Sequence, residues 1–411
     1  MASIRLFRAV ALASLLSFGY AQDRTSVEEQ SAITDPAEQC RPYNYPPLAG
    51  QSVNFPPVWA TATILPNDAA ARAKWDEISP GIPNIASKGN ITETFQTYDA
   101  RNDPDCWWTA TECTKPKVEG IPEDLSMVPP PQTLGYGFDD GPNCSHNAFY
   151  DYLTSQNQKA TMFFIGSNVY IWPLQAKRAL EDGHELCVHT WSHQAMTGLS
   201  SEQAFAEMWY TVILIKLVAG VTPTCFRPPL GDTDDRIRYI SDSLGLRTVL
   251  WKYDTRDTIP GPSGIVDPAD VDKNYEDFLR VAESGAFANE GAILLAHETN
   301  NMTMSQAIKY YPRLKQAFKV IAPVAVCLNN TQPYVEPDYS MPTFEQYVGG
   351  TTETDGPASE NPSTLTNTRS ASGPTSTANT SGRSGENNEN SAGTLLVSTF
   401  FALPAFLVLV L

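Results

Sequence analysis

The chain has 411 residues, 42% of them hydrophobic, and its 28 basic against 46 acidic side chains give a formal net charge of -18. That excess of acid excludes nucleic acid or an anionic membrane surface as a partner, because both require a basic face. It suits a neutral polymer, or one that becomes cationic as it is processed, and equally a chain charged only for solubility.

Residues 1–21, "MASIRLFRAVALASLLSFGYA", place Arg5 and Arg8 before an apolar stretch and a small residue, the pattern of a secretory signal peptide. From 22 to 130, Pro and aromatic residues crowd runs such as "RPYNYPPLAG" and "NFPPVWATATILP" without clean periodicity. An irregular N-terminal extension that packs on the main domain is expected there. From 131 to 335 the text changes. "KATMFFIG", "HELCVHT", "TCFRPP", "LRTVLWKYD" and "GAILLAHE" read as buried strands bounded by turn residues. Between them, "NAFYDYLTSQN", "IWPLQAKRALEDG", "DDRIRYISDSLG" and "DKNYEDFLRVAESGA" space their apolar residues at about 3.6, and several end at Gly. Strand and helix alternating at this length predict an α/β fold, a parallel sheet or (β/α) barrel, with reactive residues at the C-terminal ends of strands. The aliphatic "YTVILIKLVAG" is too short to span a bilayer and reads as a buried helix face.

Residues 350–392 are rich in Ser, Thr, Gly and Asn, cannot build a core, and read as a disordered stalk. The apolar tail 393–411 reads as a GPI-anchor signal, with attachment at Asn390 or upstream among residues 379–385. Both ends predict a secreted protein at the cell surface, attached to a membrane only through a lipid. Sequons at Asn90, Asn143, Asn301, Asn329 and Asn379 fit that address as glycan acceptors. Seven cysteines, Cys40, Cys106, Cys113, Cys144, Cys187, Cys225 and Cys327, leave one without an intramolecular partner. The expected pairs are Cys144 with Cys327, tying the two ends of the core, and Cys106 with Cys113. Cys187 and Cys225 lie in apolar runs, where either can serve as a small buried hydrophobe.

The stretch "GFDDGPNCSH" sets Asp139 beside Asp140 where a strand should end. Like charges that close need open solvent or a cation between them. A solvated Asp-Gly turn accounts for such a pair standing alone. In "HTWSH", His189 and His193 are four residues apart, and on a helical turn both imidazoles would face one side and could share a metal. Asp139, Asp140, His189, His193, Arg227, Asp257 and His297 all fall at or just past strand ends. Two imidazoles and one carboxylate leave an open position on a tetrahedral zinc, which suits a catalytic site. One aspartate can then be a ligand while its neighbour stays free as a base.

The motifs "FDDGP", "HTWSH", "RPPLGD", "DTRD" and "LLAH" occur in the order and at about the spacing of the five motifs of polysaccharide deacetylases, carbohydrate esterase family four. The chain resembles that family over about residues 130–330, and its extension, stalk and tail look most like those of the fungal chitin deacetylases. The resemblance implies a distorted (β/α) barrel that removes N-acetyl groups from chitin and leaves chitosan, working as a monomer. Asp139 would be the general base on the attacking water. Asp140, His189 and His193 would hold zinc, or cobalt in its place. Arg227 would pair with Asp139, a backbone N–H near Leu230 would meet the oxyanion, and His297, kept protonated by a charge-assisted bond to Asp257, would be the general acid. Deacetylation of another glycan such as xylan, or chitin binding with catalysis decayed, are the alternative readings. Two positions depart from the family pattern: Gly137 stands where Thr or Ser is usual, and Thr258 where a groove-walling Trp is usual. Trp172, Trp191 and Trp251 are candidates for sugar stacking, Trp251 being inside an apolar strand. His146 reads as structural, His184 as a turn residue or one that backs the site, and Asp232, Asp234 and Asp235 as a helix N-terminus.

Overall fold

The strand that carries the paired aspartates runs through the middle of a nine-stranded sheet. The computed structural model describes residues 24–261, 264–352 and 354. The signal peptide, stalk, anchor-signal tail, Asn379 and Asn390 lie outside the described residues. The strands are β1 (Met127–Val128), β2 (Thr133–Gly141), β3 (Thr161–Phe164), β4 (Glu185–Val188), β5 (Cys225–Phe226), β6 (Arg247–Thr248), β7 (Tyr253–Asp254), β8 (Gly291–Leu295) and β9 (Val320–Ala322). They run in the order β1-β8-β2-β3-β4-β5-β6, with β7 on β8 and β9 on β2. Every pairing is parallel except β1 on β8.

The sheet curls into a distorted barrel because one short stretch stitches its ends. Leu125 donates from its N–H to Thr248 O (3.0 Å) and accepts from Leu250 N–H (2.7 Å), beside β6. Two residues on, Met127 and Val128 pair with β8. This stitch belongs to the stretch read from sequence as extension, so the extension is woven into the barrel wall. Strands β3 and β4 are buried at every residue, as parallel strands covered on both faces must be. Burial of each large apolar side chain there contributes about 1.5–3 kcal/mol.

The helix Ser201–Ala219 starts at a capping box of Ser200 and Gln203 and stops at Gly220, whose left-handed φ of 83° ends it. It is buried along much of its length, as its aliphatic run suggested, because the extension covers the side away from the barrel. Leu65 N–H donates to Tyr210 Oη (2.9 Å), and Trp75 packs against Phe205 (5.6 Å between rings). Among the described residues, no helix is long and apolar enough to cross a membrane.

The cysteines correct one expectation. Cys144 is bonded to Cys40 of the extension, not to Cys327. Cys144 follows the C-terminal end of β2, whereas β9 pairs with the start of β2 and leads into the helix Val324–Cys327. The two residues therefore sit at opposite ends of the barrel. Cys327 is buried and free, and burial pushes its thiol up. Cys106 is bonded to Cys113 as expected, and Cys187 to Cys225, which joins adjacent strands β4 and β5 rather than leaving two small hydrophobes.

Candidate active site

The two aspartates are separated by a fault in the strand. Asp139 pairs with Phe163 and Gly141 with Phe164, so Asp140 is the extra residue of a bulge, with a left-handed φ of 71°. Neighbouring carboxylates thereby take different partners. Asp139 Oδ1 accepts from the Arg227 guanidinium at 2.7 Å. Asp140 Oδ1 lies 3.3 Å from His189 Nε2 and 3.0 Å from His193 Nε2. Backbone bonds fix the register: Asp139 N–H donates to Ala296 O (3.0 Å), and Glu298 N–H donates to Asp139 O (2.8 Å). Asn168 donates its amide to Asp140 O (2.7 Å).

His189 follows β4 and donates from Nδ1 to Arg227 O (2.7 Å), which leaves Nε2 as the outward lone pair. The imidazoles meet across a loop, not along the helical turn expected from their spacing. Thr190 and His193 both take left-handed backbone, φ 66° and 56°, and bring the ring centroids within 5.0 Å. Glu207, buried in the helix Ser201–Ala219, holds that loop. Its carboxylate accepts from Trp191 N–H (2.9 Å), Ser192 N–H (2.8 Å), Ser192 Oγ (2.6 Å) and Ala62 N–H (2.8 Å).

The donor atoms of Asp140, His189 and His193 all lie within 4.8 Å of one another. Asp140 Oδ1 is buried without a hydrogen bond, so its two close imidazole contacts lack bonding geometry. Three donors converging on one point, one of them an orphaned carboxylate oxygen, fit a divalent cation with an open coordination position. Burial acts to raise the Asp140 carboxyl, but His193 and His189 hold it well below the usual carboxylate range, so it is ionised as a ligand must be. Among the described residues, two other groupings with this ligand chemistry contain the disulfides Cys106–Cys113 and Cys187–Cys225, which offer no thiolate.

Across the site, Asp257 follows β7 and His297 follows β8. His297 Nδ1 donates to Asp257 Oδ1 (2.6 Å), and His297 N–H donates to Asp257 Oδ2 (3.1 Å). Burial disfavours the imidazolium, yet the Asp257 carboxylate beside it pushes His297 up to about 10. Arg227 is fully buried, lies 3.8 Å over the Phe163 ring, and donates from Nε to Val249 O (3.2 Å). Leu230 is 52% exposed with a left-handed φ of 59°.

Sequence reasoning missed the acids behind the site. Glu298 Oε1 accepts from Asn143 N–H (2.8 Å) and His146 Nδ1 (2.9 Å), and Oε2 accepts from Tyr150 Oη (2.8 Å). His146 is thus structural, as read, and His184 Nδ1 accepts from Ala160 N–H (3.1 Å) in the same role. Asp232 does not cap the helix Asp235–Ser243; it accepts from Trp107 Nε1 (2.7 Å), Thr109 Oγ1 (2.6 Å), Thr197 N–H (2.7 Å) and Thr197 Oγ1 (2.7 Å). Asp234 is the cap, bonding Ile237 N–H (3.0 Å). The available signal was one lone Glu in the apolar run "FAEMWY" and another directly after His297.

Gly137 has a physical cause: a Cβ there would lie 2.8 Å from Thr161 O, so this barrel has no room for the usual hydroxyl residue. Of the proposed stacking residues, Trp191 is fully buried and Trp251 is 9% exposed, while Trp172 packs near Tyr43 (6.3 Å).

Residues 127–249 match the family model described as polysaccharide deacetylase. Chitin deacetylase 2 of Cryptococcus neoformans var. grubii is 47% identical over 337 residues, 80% of this chain and 74% of that protein. This chain belongs to the polysaccharide deacetylase family. The chitin deacetylase of Amylomyces rouxii is 43% identical over 76% of this chain and 75% of its own length. A solved chitin deacetylase from the fungal pathogen Colletotrichum lindemuthianum aligns with a TM-score of 0.46 at 22% identity, covering 51% of this chain and 94% of that one. As a member of the family the protein is a carbohydrate deacetylase, and the barrel rim described above is its candidate active site.

Proposed function

We propose that the enzyme removes the acetyl group from N-acetylglucosamine units of chitin, leaving chitosan and acetate. The observation that carries the reading is the bulge that splits the aspartates: Asp139 is held by Arg227, and Asp140 stands orphaned between two imidazoles. The names of relatives above 40% identity support chitin as the polymer. Asp140, His189 and His193 would hold zinc or cobalt, which when bound polarises a carbonyl oxygen and acidifies water.

The chain's own groups do the rest. Asp139, paired with the Arg227 guanidinium at 2.7 Å, accepts the proton of the attacking water. The backbone N–H near Leu230 donates to the oxygen on which negative charge develops. Asp257 engages His297 Nδ1, so His297 Nε2–H protonates the departing amine, and the C–N bond breaks with acetate as the second product. Different neighbours thus set the acid and the base apart. The apolar ends of the chain support secretion and a GPI anchor, which would put the reaction at the cell wall.

The test is acetate release from chitin oligomers by the purified enzyme, metal-stripped and then given zinc or cobalt. Release restored by metal supports the reading. Release from acetylated xylan but from no chitin oligomer would replace chitin with another glycan. Metal bound stoichiometrically without release from either would overturn the reading.

A further inference from the structure

Two tryptophans of the extension stand at the rim of the site although no step of the chemistry uses them. Trp59 is 47% exposed and has a left-handed φ of 63°. A bulky residue keeps that backbone only where its surroundings over-determine it. Here they do. Trp59 N–H donates to Ser167 Oγ (2.8 Å), which donates to Trp191 O (2.6 Å), between the two metal-site histidines. Phe55 stacks on Trp191 (5.9 Å, 3° between planes), and Pro57 O accepts from Trp191 Nε1 (3.0 Å). Ala62 N–H ends on Glu207 (2.8 Å), and Asn168, next to Ser167, holds the carbonyl of Asp140 (2.7 Å). Segment 55–62 is therefore fastened to the loop that carries His189 and His193, with a large indole left in water.

Trp108 opens the short helix Trp108–Thr111 beside the Cys106–Cys113 disulfide. Its ring meets Trp251 edge-on at 4.8 Å, and it covers Gly231, where a Cβ would run into the indole. Trp251 in turn lies 5.7 Å from the Arg227 guanidinium that holds Asp139. Trp108 N–H donates to Thr233 O (3.0 Å), tying it to the loop of the exposed Leu230.

We propose that the extension is a substrate-binding element in which Trp59 and Trp108 are platforms for pyranose rings of the polymer. Trp59 stands by the loops after β3 and β4, and Trp108 by those after β5 and β6, on two sides of the reacting groups. An indole fixed in place offers a flat apolar face to the C–H side of a sugar and loses little conformational entropy on binding. The polymer's identity rests on the chitin reading above. The platforms themselves need only a β-linked pyranose chain.

The experiment compares steady-state acetate release from N-acetylglucosamine oligomers, dimer to hexamer, by the zinc-loaded wild type, Trp59→Ala and Trp108→Ala. The expected result is a rise of about five- to tenfold in KM for the hexamer in each variant, larger than for the dimer, with the loss in KM and not in kcat. Trp59→Phe and Trp108→Phe should recover most of it. KM unchanged for the hexamer, or raised equally for dimer and hexamer, would overturn the proposal. Should Trp108→Ala fail to fold, Trp59→Ala and Trp108→Phe decide. Should the wild type deacetylate no chitin oligomer, the chitin reading falls alone, and the same length series on acetylated xylan oligomers decides the platforms.

Discussion

The barrel and the extension wrapped on it are built by different means. In the barrel, parallel strands carry Asp139, His189, Arg227, Asp257 and His297 to one rim because parallel strand ends all emerge on one side. The extension has short, scattered elements and is held at separate points: the Cys40–Cys144 disulfide, the hydrogen bonds of Ala62 to Glu207 and Trp107 to Asp232, and the packing of Phe55 on Trp191 and Trp75 on Phe205. Topology gathers the groups proposed to react, whereas buried acids that collect backbone N–H groups aim the loops bearing them. Removing a reacting group should stop turnover and spare the fold. Removing a contact to the extension should do the reverse.

The largest effect expected on the barrel side is from His297→Ala, which should lower kcat by about 10²–10⁴-fold while unfolding temperature and bound metal stay at wild-type values. A large fall in both would erase the distinction. Asp257→Asn sharpens it through pH. In the proposed role His297 must carry a proton, and since Asp257 pushes it up to about 10, activity should persist to about that pH and fall above it. Without the carboxylate the alkaline limb of kcat should move down toward the ordinary histidine value of 6.5. A limb that stays in place would remove Asp257 from that role.

On the extension side, replacing Cys40 and Cys144 with Ser should cost about 4 kcal/mol in denaturant unfolding, given a separation of 104 residues, with turnover retained. Glu207→Ala belongs to both regions because it strands N–H groups of Ala62, Trp191 and Ser192 together. It should destabilise by about 3 kcal/mol and weaken zinc binding about 10–100-fold, read by calorimetry and metal titration. Zinc affinity at wild-type strength would mean the histidine loop holds its shape unaided. The smallest effect is that of Gly137→Ser, destabilising by about 1–3 kcal/mol because its Cβ meets Thr161 O.

The same contrast decides what the sequence made legible. Strand ends bearing Asp, His and Arg in alternation with helices pointed to one rim before any contact was known, since strand direction alone puts them there. The shape of the histidine loop was not legible. Thr190 and His193 take left-handed backbone without being Gly or Asn, and only Glu207, recruited from the following helix, explains it. The partner of Cys144 was missed because the extension has no periodicity to place Cys40. Gly137 looked like a lost hydroxyl until Thr161 O was found in the space a side chain would need. Asp232, Glu207 and Glu298 bond across 35, 145 and 155 residues, distances over which local pattern says nothing.

One bulge gives two adjacent aspartates different partners, and the proposed function gives them different work. Zinc content and acetate release, measured side by side on Asp139→Asn and Asp140→Asn, test it most directly. Asp139→Asn should keep stoichiometric zinc and lose turnover, and Asp140→Asn should lose both. Full turnover in Asp139→Asn, or zinc held equally by the two variants, would contradict it.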